Sequence, residues 1–199
     1  TAVFSCDLSR VLAHRAANKD AFAKRGSKLT FSAYFLRATH AAVQAVPEVN
    51  ARWHDDALEV FEHLHVGVGA ALEDKGLVVP VIKDVQDLDL EQCAARLTEL
   101  TDKARAGKLA PAEMKGSTFT ISNHGVMGSL IASPIIINQP ESAILGIGKL
   151  EKRAVVVDDQ VQVRPMIYVT LTIDHRVLDA FHTNRFLTTF CDTLEQWPD

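Results

Sequence analysis

The stretch TLTIDHRVLDAFH, residues 170–182, joins an apolar, strand-like run to a predicted helix. His175 stands at the junction, where a side chain can face a cleft, and Asp179 follows at a position suited to cap the helix. Asp174 and Arg176 flank the histidine and can pair with each other. A neutral imidazole with a pKa of about 6.5 is matched to take a proton from a thiol with a pKa of about 8.5. Thiol chemistry is therefore a candidate function.

The composition is that of a globular domain. The chain has 199 residues, of which 47% are hydrophobic and 23% charged, and its net charge is -4. This length can bury a substantial core as a single domain, and the charge gives no general attraction to nucleic acid or anionic membranes. No apolar run is long enough to span a bilayer. The three cysteines show neither metal-binding nor disulfide spacing, which favours a reducing compartment: Cys6, Cys93 and Cys191.

Apolar residues at helical spacing, together with capping and stop signals, predict helices in four segments. Thr30 and Asp89 are placed to cap the second and third helices, and Gly26 and Gly107 to end the first and third. The second helix has an apolar surface too wide for a solvent-facing helix, so it is predicted to lie in the core. The predicted segments are 7–24, 31–46, 90–107 and 179–196.

The remaining segments predict strands. Residues 52–60 are expected to form two short strands around an Asp-Asp turn, and residues 65–82 two more around the turn EDKG, together making a small sheet. Later strands are predicted at 117–123, 133–138, 142–148, 152–157 and 163–173. Since helices do not separate these strands regularly, the sequence predicts an α/β (α+β) domain over residues 1–199, with a mixed or largely antiparallel sheet flanked by helices.

Five blocks of the sequence resemble the dihydrolipoamide acyltransferases, the core components of 2-oxo acid dehydrogenase complexes. DHRVLDA resembles their HxxxDG signature, which chloramphenicol acetyltransferase shares. The other blocks follow in the family's order: AVPEVNAR, HVGVGAALEDKGLVVPVIKD, KLAPAEMKGSTFTISNHGVMGS and PIIINQPESAILGIG. The resemblance covers essentially the whole chain, and it implies a trimeric, chloramphenicol acetyltransferase-like fold.

The resemblance also implies an active site shared between neighbouring subunits of the trimer. His175 would act as general base, beside the motif aspartate Asp179, and Ser122 from the next subunit would stabilise the tetrahedral oxyanion. The implied reaction is direct acyl transfer between the thiols of dihydrolipoamide and coenzyme A, without a covalent acyl-enzyme. Two further sets of residues are assigned: Asn123 and Ser129 as substrate-binding, and Asp174 and Arg176 as structural neighbours of the site.

Cofactors and partners follow from the same resemblance. Coenzyme A would be the co-substrate, and a separate domain would supply the lipoyl group. The expected partners are two further copies of the chain, in a trimer or a larger core, and the 2-oxo acid dehydrogenase and dihydrolipoamide dehydrogenase components. The expected compartment is the bacterial cytoplasm or the mitochondrial matrix.

Basic side chains and histidines outside the motif are weaker candidates for a site. Lys75, Lys83 and Arg164 could meet phosphates of coenzyme A, although solvation at the surface is the simpler interpretation. A metal site is not expected, because the histidines of HLH lack a third ligand nearby; the histidines considered are His63, His65 and His124.

The sequence departs from the family at several points. Ala180 replaces the motif glycine, and we interpret it as the first turn of the last helix, where alanine is harmless. GVMGSLIASP, SAILG and RPMIYVTLTIDHR favour a succinyl group, whereas GIGKLEKR lacks the histidine typical of that branch; acetyl and branched-chain groups stay open. The lipoyl and subunit-binding domains, the first catalytic segment and the apolar C-terminal tail are missing, so a trimer is expected.

Two other classes of function remain open. The chain could be an acyltransferase-like scaffold subunit with little activity, for which Ala180 and the shortened ends are the support. It could also be an antibiotic acetyltransferase that uses coenzyme A, which shares the histidine motif. The presence of both His175 and Ser122 favours an enzyme, and the blocks GLVVPVIKD and GSTFTISNHG favour the lipoamide branch.

Overall fold

The computed structural model describes residues 1–71 and 76–198. Its helices are α1 (Ser9–Lys24), α2 (Phe31–Ala45), α3 (Leu90–Arg105) and α4 (Ala180–Glu195). Its strands are β1 (Ala2–Asp7), β2 (Ala51–Trp53), β3 (Leu58–Val60), β4 (Val66–Val68), β5 (Ala70–Ala71), β6 (Leu77–Val78), β7 (Val81–Ile82), β8 (Phe119–Asn123), β9 (Ala143–Ile147), β10 (Glu151–Val157) and β11 (Gln160–Ile173).

The main sheet has the strand order β1-β11-β9-β8-β4-β7, and β10 pairs with the first part of β11. Strands β4, β8 and β9 are parallel, whereas the pairs formed by β1, β7, β10 and β11 are antiparallel. The mixed sheet predicted from the sequence is therefore confirmed. Strand β11 is 14 residues long and ends beside the start of β9, which places the following turn at one end of the sheet.

The core lies between the sheet and the helices. Alternate residues of β11, Ile167, Val169 and Leu171, are buried in one cluster with residues of α2, α3 and α4. Helix α2 is buried along most of its length, as its wide apolar surface predicts. Helix α4 is amphipathic and buries Phe186 and Phe190 in the same cluster. Burial of each such side chain contributes about 1.5–3 kcal/mol to the free energy of unfolding. This packing fixes the sheet, and therefore the loops at its ends, against the helices.

The capping predictions are largely confirmed. The Asp89 side chain accepts a hydrogen bond from the Gln92 backbone, and the Gln92 side-chain oxygen accepts one from the backbone N–H of Asp89. Asp179 caps α4, and Ala180 is its first residue, as the interpretation of the missing glycine requires. Thr30 occupies the N-cap position of α2, but its side chain makes no capping bond, so that part of the prediction is wrong.

The N-terminal segment corrects the first predicted helix. Residues 2–7 form strand β1, and α1 begins only at Ser9. Within β1 Cys6 is buried against the helices, whereas Val3 and Ser5 are exposed, which is the alternation of a strand. The Asp7 carboxylate accepts hydrogen bonds from the backbone and the hydroxyl of Ser9 and separates the two elements.

One predicted strand and one predicted sheet are also wrong. Residues 133–138 form no strand. Side chains of β11 bind the backbone of this segment and of the residue before it: Thr172 Oγ1 accepts from Ile135 N, and Thr170 Oγ1 donates to the Ala132 carbonyl. The strands predicted at 52–60 form the β2-β3 pair, and β5 and β6 pair on either side of residues 72–75, but these strands do not make one small sheet. Strands β4 and β7 join the main sheet, while β2-β3 and β5-β6 are separate pairs. Residues 72–75, which include most of the predicted EDKG turn, lie outside the described residues.

Cys6, Cys93 and Cys191 are buried free thiols. None of the helices in the described ranges has both the length and the hydropathy that a bilayer span requires. The packing of α4 is extended by Trp197, whose ring lies 4.8 Å from that of buried Tyr34.

Candidate active site

His175 lies in the turn that follows β11, and its side chain is exposed. The turn is fixed at its first residue, because the Asp174 backbone donates a 2.7 Å hydrogen bond to the Ser142 carbonyl. Asp174 also accepts from the Arg176 side chain at 2.6 and 3.0 Å, so the predicted pairing of these residues is confirmed. These bonds from Arg176 lower the pKa of Asp174. The Arg176 guanidinium lies 5.4 Å from the centre of the Trp53 ring, which connects the turn to the β2-β3 hairpin.

Asp179 fixes the other end of the turn. Its Oδ1 accepts hydrogen bonds from the backbone of Phe181 at 2.9 Å and of His182 at 3.2 Å, and it lies 2.7 Å from Nδ1 of His182. The bonds from His182 lower the pKa of Asp179. The motif aspartate therefore holds the first turn of α4. Sequence reasoning missed His182, although its spacing of three residues from Asp179 is the signal for such a contact.

Ser122 lies within the sheet, in β8. Phe119 and Ile121 face the core, so Ser122 points to the opposite face of the strand. It pairs with Gly146 of β9, and a side chain on Gly146 would collide with Thr170 Oγ1. Strand β4 binds the other edge of β8. Ser122 thus pairs with β9 directly and follows the three residues of β8 that β4 also pairs.

The fold does not bring Ser122 and His175 together within one chain. Ser122 is level with Gly146, and Gly146 is level with Thr170 of β11. Ile173 lies three positions further along β11, and the turn with His175 continues outward from there. With about 3.3 Å per residue and about 4.8 Å per strand, the two residues are roughly 15 Å or more apart. A base contacts the thiol, and an oxyanion donor contacts the adjacent carbonyl oxygen at about 3 Å, so these two side chains of one chain are too far apart to act on the same reacting group.

The largest of the described cavities, 560 Å³, is lined in part by Asn123, the residue after Ser122, whereas Ser122 is not among its lining residues. Its walls are mainly apolar and belong to α2, α3, β4 and the segment that follows β8; Phe31, Leu97 and Val126 are examples. Lys28 and Arg105 lie in its lining, and both pair with Asp102. The chemistry of the cavity suits an extended molecule with an apolar arm and an anionic end. A second cavity of 350 Å³ shares Phe31, Asn123 and Val126 with it.

Ser129, the other predicted substrate-binding residue, is half-buried in the loop after β8. Its hydroxyl donates to the Ile131 carbonyl at 3.3 Å, and its carbonyl accepts from the Lys149 backbone at 2.9 Å. These bonds hold the loop against the end of β9. Sequence position alone places Ser129 near Ser122, but the structure gives it a loop-fixing contact.

His124 follows Ser122 by two residues, and its ring covers Gly146. Burial lowers the pKa of His124, and the nearby backbone of Ser129 partly opposes that shift. Within the described residues, neither ring nitrogen of His124 has a hydrogen-bond partner. Burial therefore favours the neutral form of the ring. It packs between the sheet and the loop that follows β8.

The other histidines considered for a metal lie elsewhere. His63 lies 2.8 Å from the Asp84 carboxylate, and His65 Nδ1 accepts from the Asp84 backbone. Within residues 1–71 and 76–198, no group of three or more histidine, cysteine or acidic side chains could hold a metal ion.

The basic residues considered for phosphates are bound within the chain. Lys83 donates to the carbonyls of Lys115 and Gly116 at 2.7 and 2.9 Å. Arg164 binds Gln162 at 2.6 Å and lies 3.9 Å from Asp7. Lys75 is outside the described residues. Lys28 and Arg105 also pair within the chain, with Asp102, but they line a cavity. Sequence reasoning missed them because only the fold places them there.

Residues 1–199 match the family model described as 2-oxoacid dehydrogenases acyltransferase (catalytic domain). The chain belongs to this acyltransferase family. It is 42% identical over 190 residues to the dihydrolipoyllysine-residue succinyltransferase component of the 2-oxoglutarate dehydrogenase complex of Rickettsia bellii. That alignment covers 95% of the acyltransferase chain and 47% of the relative. The chain thus spans about half the length of the curated relatives it matches.

Solved structures agree with this family membership. A probable dihydrolipoamide acetyltransferase from Listeria monocytogenes superposes with a TM-score of 0.94 at 35% identity, over 98% of this chain and 83% of that one. The dihydrolipoamide acetyltransferase of Azotobacter vinelandii gives 0.91 at 34% identity, over 98% and 80%; it was studied for the catalytic roles of a serine, a histidine and an asparagine. Chloramphenicol acetyltransferase, at 15% identity and a TM-score of 0.63, shows the shared fold alone. The predicted fold family is confirmed.

Proposed function

We propose that this acyltransferase moves an acyl group between dihydrolipoamide and coenzyme A, as the core of a 2-oxo acid dehydrogenase complex. One observation carries the proposal. This chain, which belongs to the acyltransferase family, has His175 in an exposed turn at one end of its sheet and Ser122 within the sheet, on a strand that pairs with β4 and β9. The first residue can accept a proton from a substrate, and the second can donate a hydrogen bond from a fixed position.

The proposed chemistry uses two side chains and no metal. The His175 imidazole accepts the proton of a thiol, and the sulfur attacks the carbonyl carbon of the acyl thioester on the other carrier. The carbonyl oxygen becomes an oxyanion, which accepts a hydrogen bond from the Ser122 hydroxyl. The tetrahedral intermediate then expels the second sulfur, which takes the proton back from His175. Asp174, Arg176 and Asp179 hold the turn that carries the histidine.

A homotrimer with shared sites accounts for the distance between the two residues. One chain holds Ser122 and His175 roughly 15 Å or more apart, so a complete site takes its histidine from one subunit and its serine from the next. A cyclic arrangement of three chains gives three equivalent sites. Larger assembly into a core is compatible with this arrangement and is proposed by analogy with the cubic core of the pyruvate dehydrogenase complex, to which the chain is 35% identical.

Succinyl is the proposed acyl group. The curated relatives at 42% and 44% identity are succinyltransferases, whereas the acetyltransferase structures are 35% and 34% identical. The SAILG block is followed by Ile147 and then by Gly148, not by a histidine. The histidine typical of the succinyl branch is thus absent, so the donor has to be identified by direct comparison of acyl groups.

Coenzyme A is proposed to enter by the 560 Å³ cavity beside Asn123. The apolar walls fit its extended arm, and the cations of Lys28 and Arg105 suit its phosphates. The lipoyl group would come from another domain. The proposed partners are the 2-oxo acid dehydrogenase and dihydrolipoamide dehydrogenase components, in the bacterial cytoplasm or the mitochondrial matrix.

Substituting Lys28→Ala should raise the KM for coenzyme A about three- to tenfold with an unchanged kcat, whereas Lys24→Ala should change neither.

The deciding experiment mixes two inactive variants. Acyl transfer from acetyl-, succinyl- and isobutyryl-coenzyme A to dihydrolipoamide is measured for the wild type, His175→Ala, Ser122→Ala and an equal mixture of the two variants reassembled together. Random mixing gives about a quarter of the sites a wild-type pair, so the mixture should recover about a quarter of the wild-type rate. A wild-type trimer that transfers none of the three groups would refute the enzyme and favour a scaffold subunit.

A further inference from the structure

Glu141 is a buried carboxyl group between the sheet and the loop that precedes β9, and only 3% of it is exposed. Its Oε1 accepts three hydrogen bonds: from Ser117 Oγ at 2.5 Å, Thr120 Oγ1 at 2.9 Å and Asn138 Nδ2 at 2.9 Å. Three donors on one oxygen fix the side chain in position. They tie the chain before β9 both to β8 and to the loop that covers the sheet.

Ser142, the next residue, is also buried and makes two further bonds. Its hydroxyl donates to the Ala51 carbonyl of β2 at 2.5 Å. Its carbonyl accepts the 2.7 Å hydrogen bond from Asp174 N, directly before His175. Residues 141–142, hereafter the corner, thus connect three elements at the end of the sheet: β8, the β2-β3 hairpin and the turn of His175.

We propose that the corner is a positioning element for His175, with Glu141 as its anchor. This inference rests on the proposed acyl transfer. Asp174 has one backbone bond to a neighbouring strand region, and that bond ends on Ser142. If the corner moves, the first residue of the turn moves with it. Since a misplacement of about 1 Å can cost about a hundredfold in rate, the anchor controls the chemistry from a distance.

The corner should act on the histidine and leave the serine in place. Ser122 lies two residues beyond Thr120 in a strand that β4 and β9 pair on both sides. Loss of the Thr120 side-chain bond leaves those ladders intact. The His175 turn has no such ladder, because β11 ends at Ile173. The structure therefore assigns Glu141 to the part of the shared site that supplies His175, and not to the part that supplies Ser122.

Two substitutions at Glu141 separate size from hydrogen bonding. Glu141→Leu removes the oxygen that accepts from Ser117, Thr120 and Asn138. It should lower kcat about ten- to a hundredfold with the KM of each thiol within about threefold. Glu141→Gln keeps an acceptor oxygen and should retain the wild-type kcat within about threefold. Asn138→Ala removes one donor at the surface, without a buried defect, and should lower kcat about two- to threefold, with the exposed neighbour Gln139→Ala as its control.

Mixed trimers show which part of the site the corner serves. Chains with Ser122→Ala supply only histidine, and chains with His175→Ala supply only serine. Glu141→Leu added to the histidine-supplying chain should lower the recovered rate about ten- to a hundredfold, and in the serine-supplying chain less than about twofold. Equal losses in both arms, a loss only in the serine arm, or a Glu141→Gln chain as slow as Glu141→Leu would each overturn the assignment.

The imidazole NMR signal of His175, identified by its loss in His175→Ala, tests the corner without reference to activity. It should shift in Glu141→Leu and Asn138→Ala and stay in place in Glu141→Gln and Gln139→Ala. A signal that does not respond to any of these changes would refute the positioning role even if the enzyme is active. A responsive signal in a chain that transfers no acyl group would retain the corner and reject the proposed function.

Discussion

The two residues proposed for catalysis lie in contrasting surroundings on one sheet. Ser122 sits on β8, with a ladder on each side and a loop packed over the same face of the sheet. His175 projects from an exposed turn that is held by Ser142, by the Asp174-Arg176 pair and by the Asp179 cap. An oxyanion donor benefits from a fixed position, because its hydrogen bond has to be preorganised. A base that takes a proton from an entering thiol needs access, and the turn provides it.

The largest effect is expected at the exposed end. His175→Ala should lower kcat about 100- to 10,000-fold, because the general base is lost. The free energy of unfolding should hardly change, since the side chain is exposed. His54→Ala, at another partly exposed histidine, is the matched control and should keep its rate. Steady-state kinetics and urea unfolding would check both points, and a His175→Ala chain that retains more than a tenth of its rate would remove the proposed base.

The fixed end should give the next largest effect. Ser122→Ala should lower kcat about 100- to 1,000-fold, because an oxyanion donor is lost from a preorganised position. The KM values should change little, since the bond forms mainly in the transition state. Ser5→Ala, on the exposed edge strand β1, is the control. A loss that appeared in KM with an unchanged kcat would show that Ser122 binds the substrate in its ground state.

The corner should add a pH dependence to the stability of the fold. Burial raises the pKa of Glu141, so the folded chain holds this proton more tightly than the unfolded chain. The contribution of Glu141 to the free energy of unfolding is therefore largest below the ordinary pKa of a glutamate and falls as the pH rises through its raised value. Glu141→Gln removes this dependence. Urea unfolding between pH 4 and 8 should show the variant gaining stability relative to the wild type as the pH rises. A difference that stays constant with pH would contradict the raised pKa of Glu141.

The smallest effect is expected at the hairpin contact. Trp53→Ala removes the ring beneath the Arg176 guanidinium and should lower kcat about two- to fivefold. Trp53→Phe keeps an aromatic face and should recover most of the rate. Leu58→Ala, directly opposite Trp53 in the hairpin, is the control. If the phenylalanine variant were as slow as the alanine variant, contact with the ring face would not be what holds Arg176.

Local signals allowed much of the fold to be predicted. Apolar spacing and stop residues gave four helices, and their types are correct in every case. Strand β1 was missed because its short alternating pattern runs directly into the apolar spacing of α1. The run at 133–138 is apolar enough for a strand, but hydroxyl groups of β11 bind its backbone. That arrangement depends on residues far away in the sequence, which a local pattern does not contain.

The candidate site shows the same division. The ion pair of Asp174 with Arg176 and the cap by Asp179 follow from short spacings, and both are confirmed. The roles of His175 and Ser122 stay predictions, supported by the motif blocks and the positions of the two residues. Glu141 and Ser142 were missed, because most of their partners are 21 or more residues away; Asn138, three residues before Glu141, is the exception. Such contacts become visible only after the sheet has formed.

The pairing of β1 with β11 also sets the order in which the chain can fold. The Asp7 backbone donates to Glu195, 188 residues later, and Cys6 Sγ lies 4.0 Å from the Cys191 carbonyl. At about 5–20 residues per second, a ribosome takes roughly ten to forty seconds to deliver the partner of the first strand. Through that interval β1 has no β11 to pair with, so this edge of the sheet forms only after β11 has been synthesised.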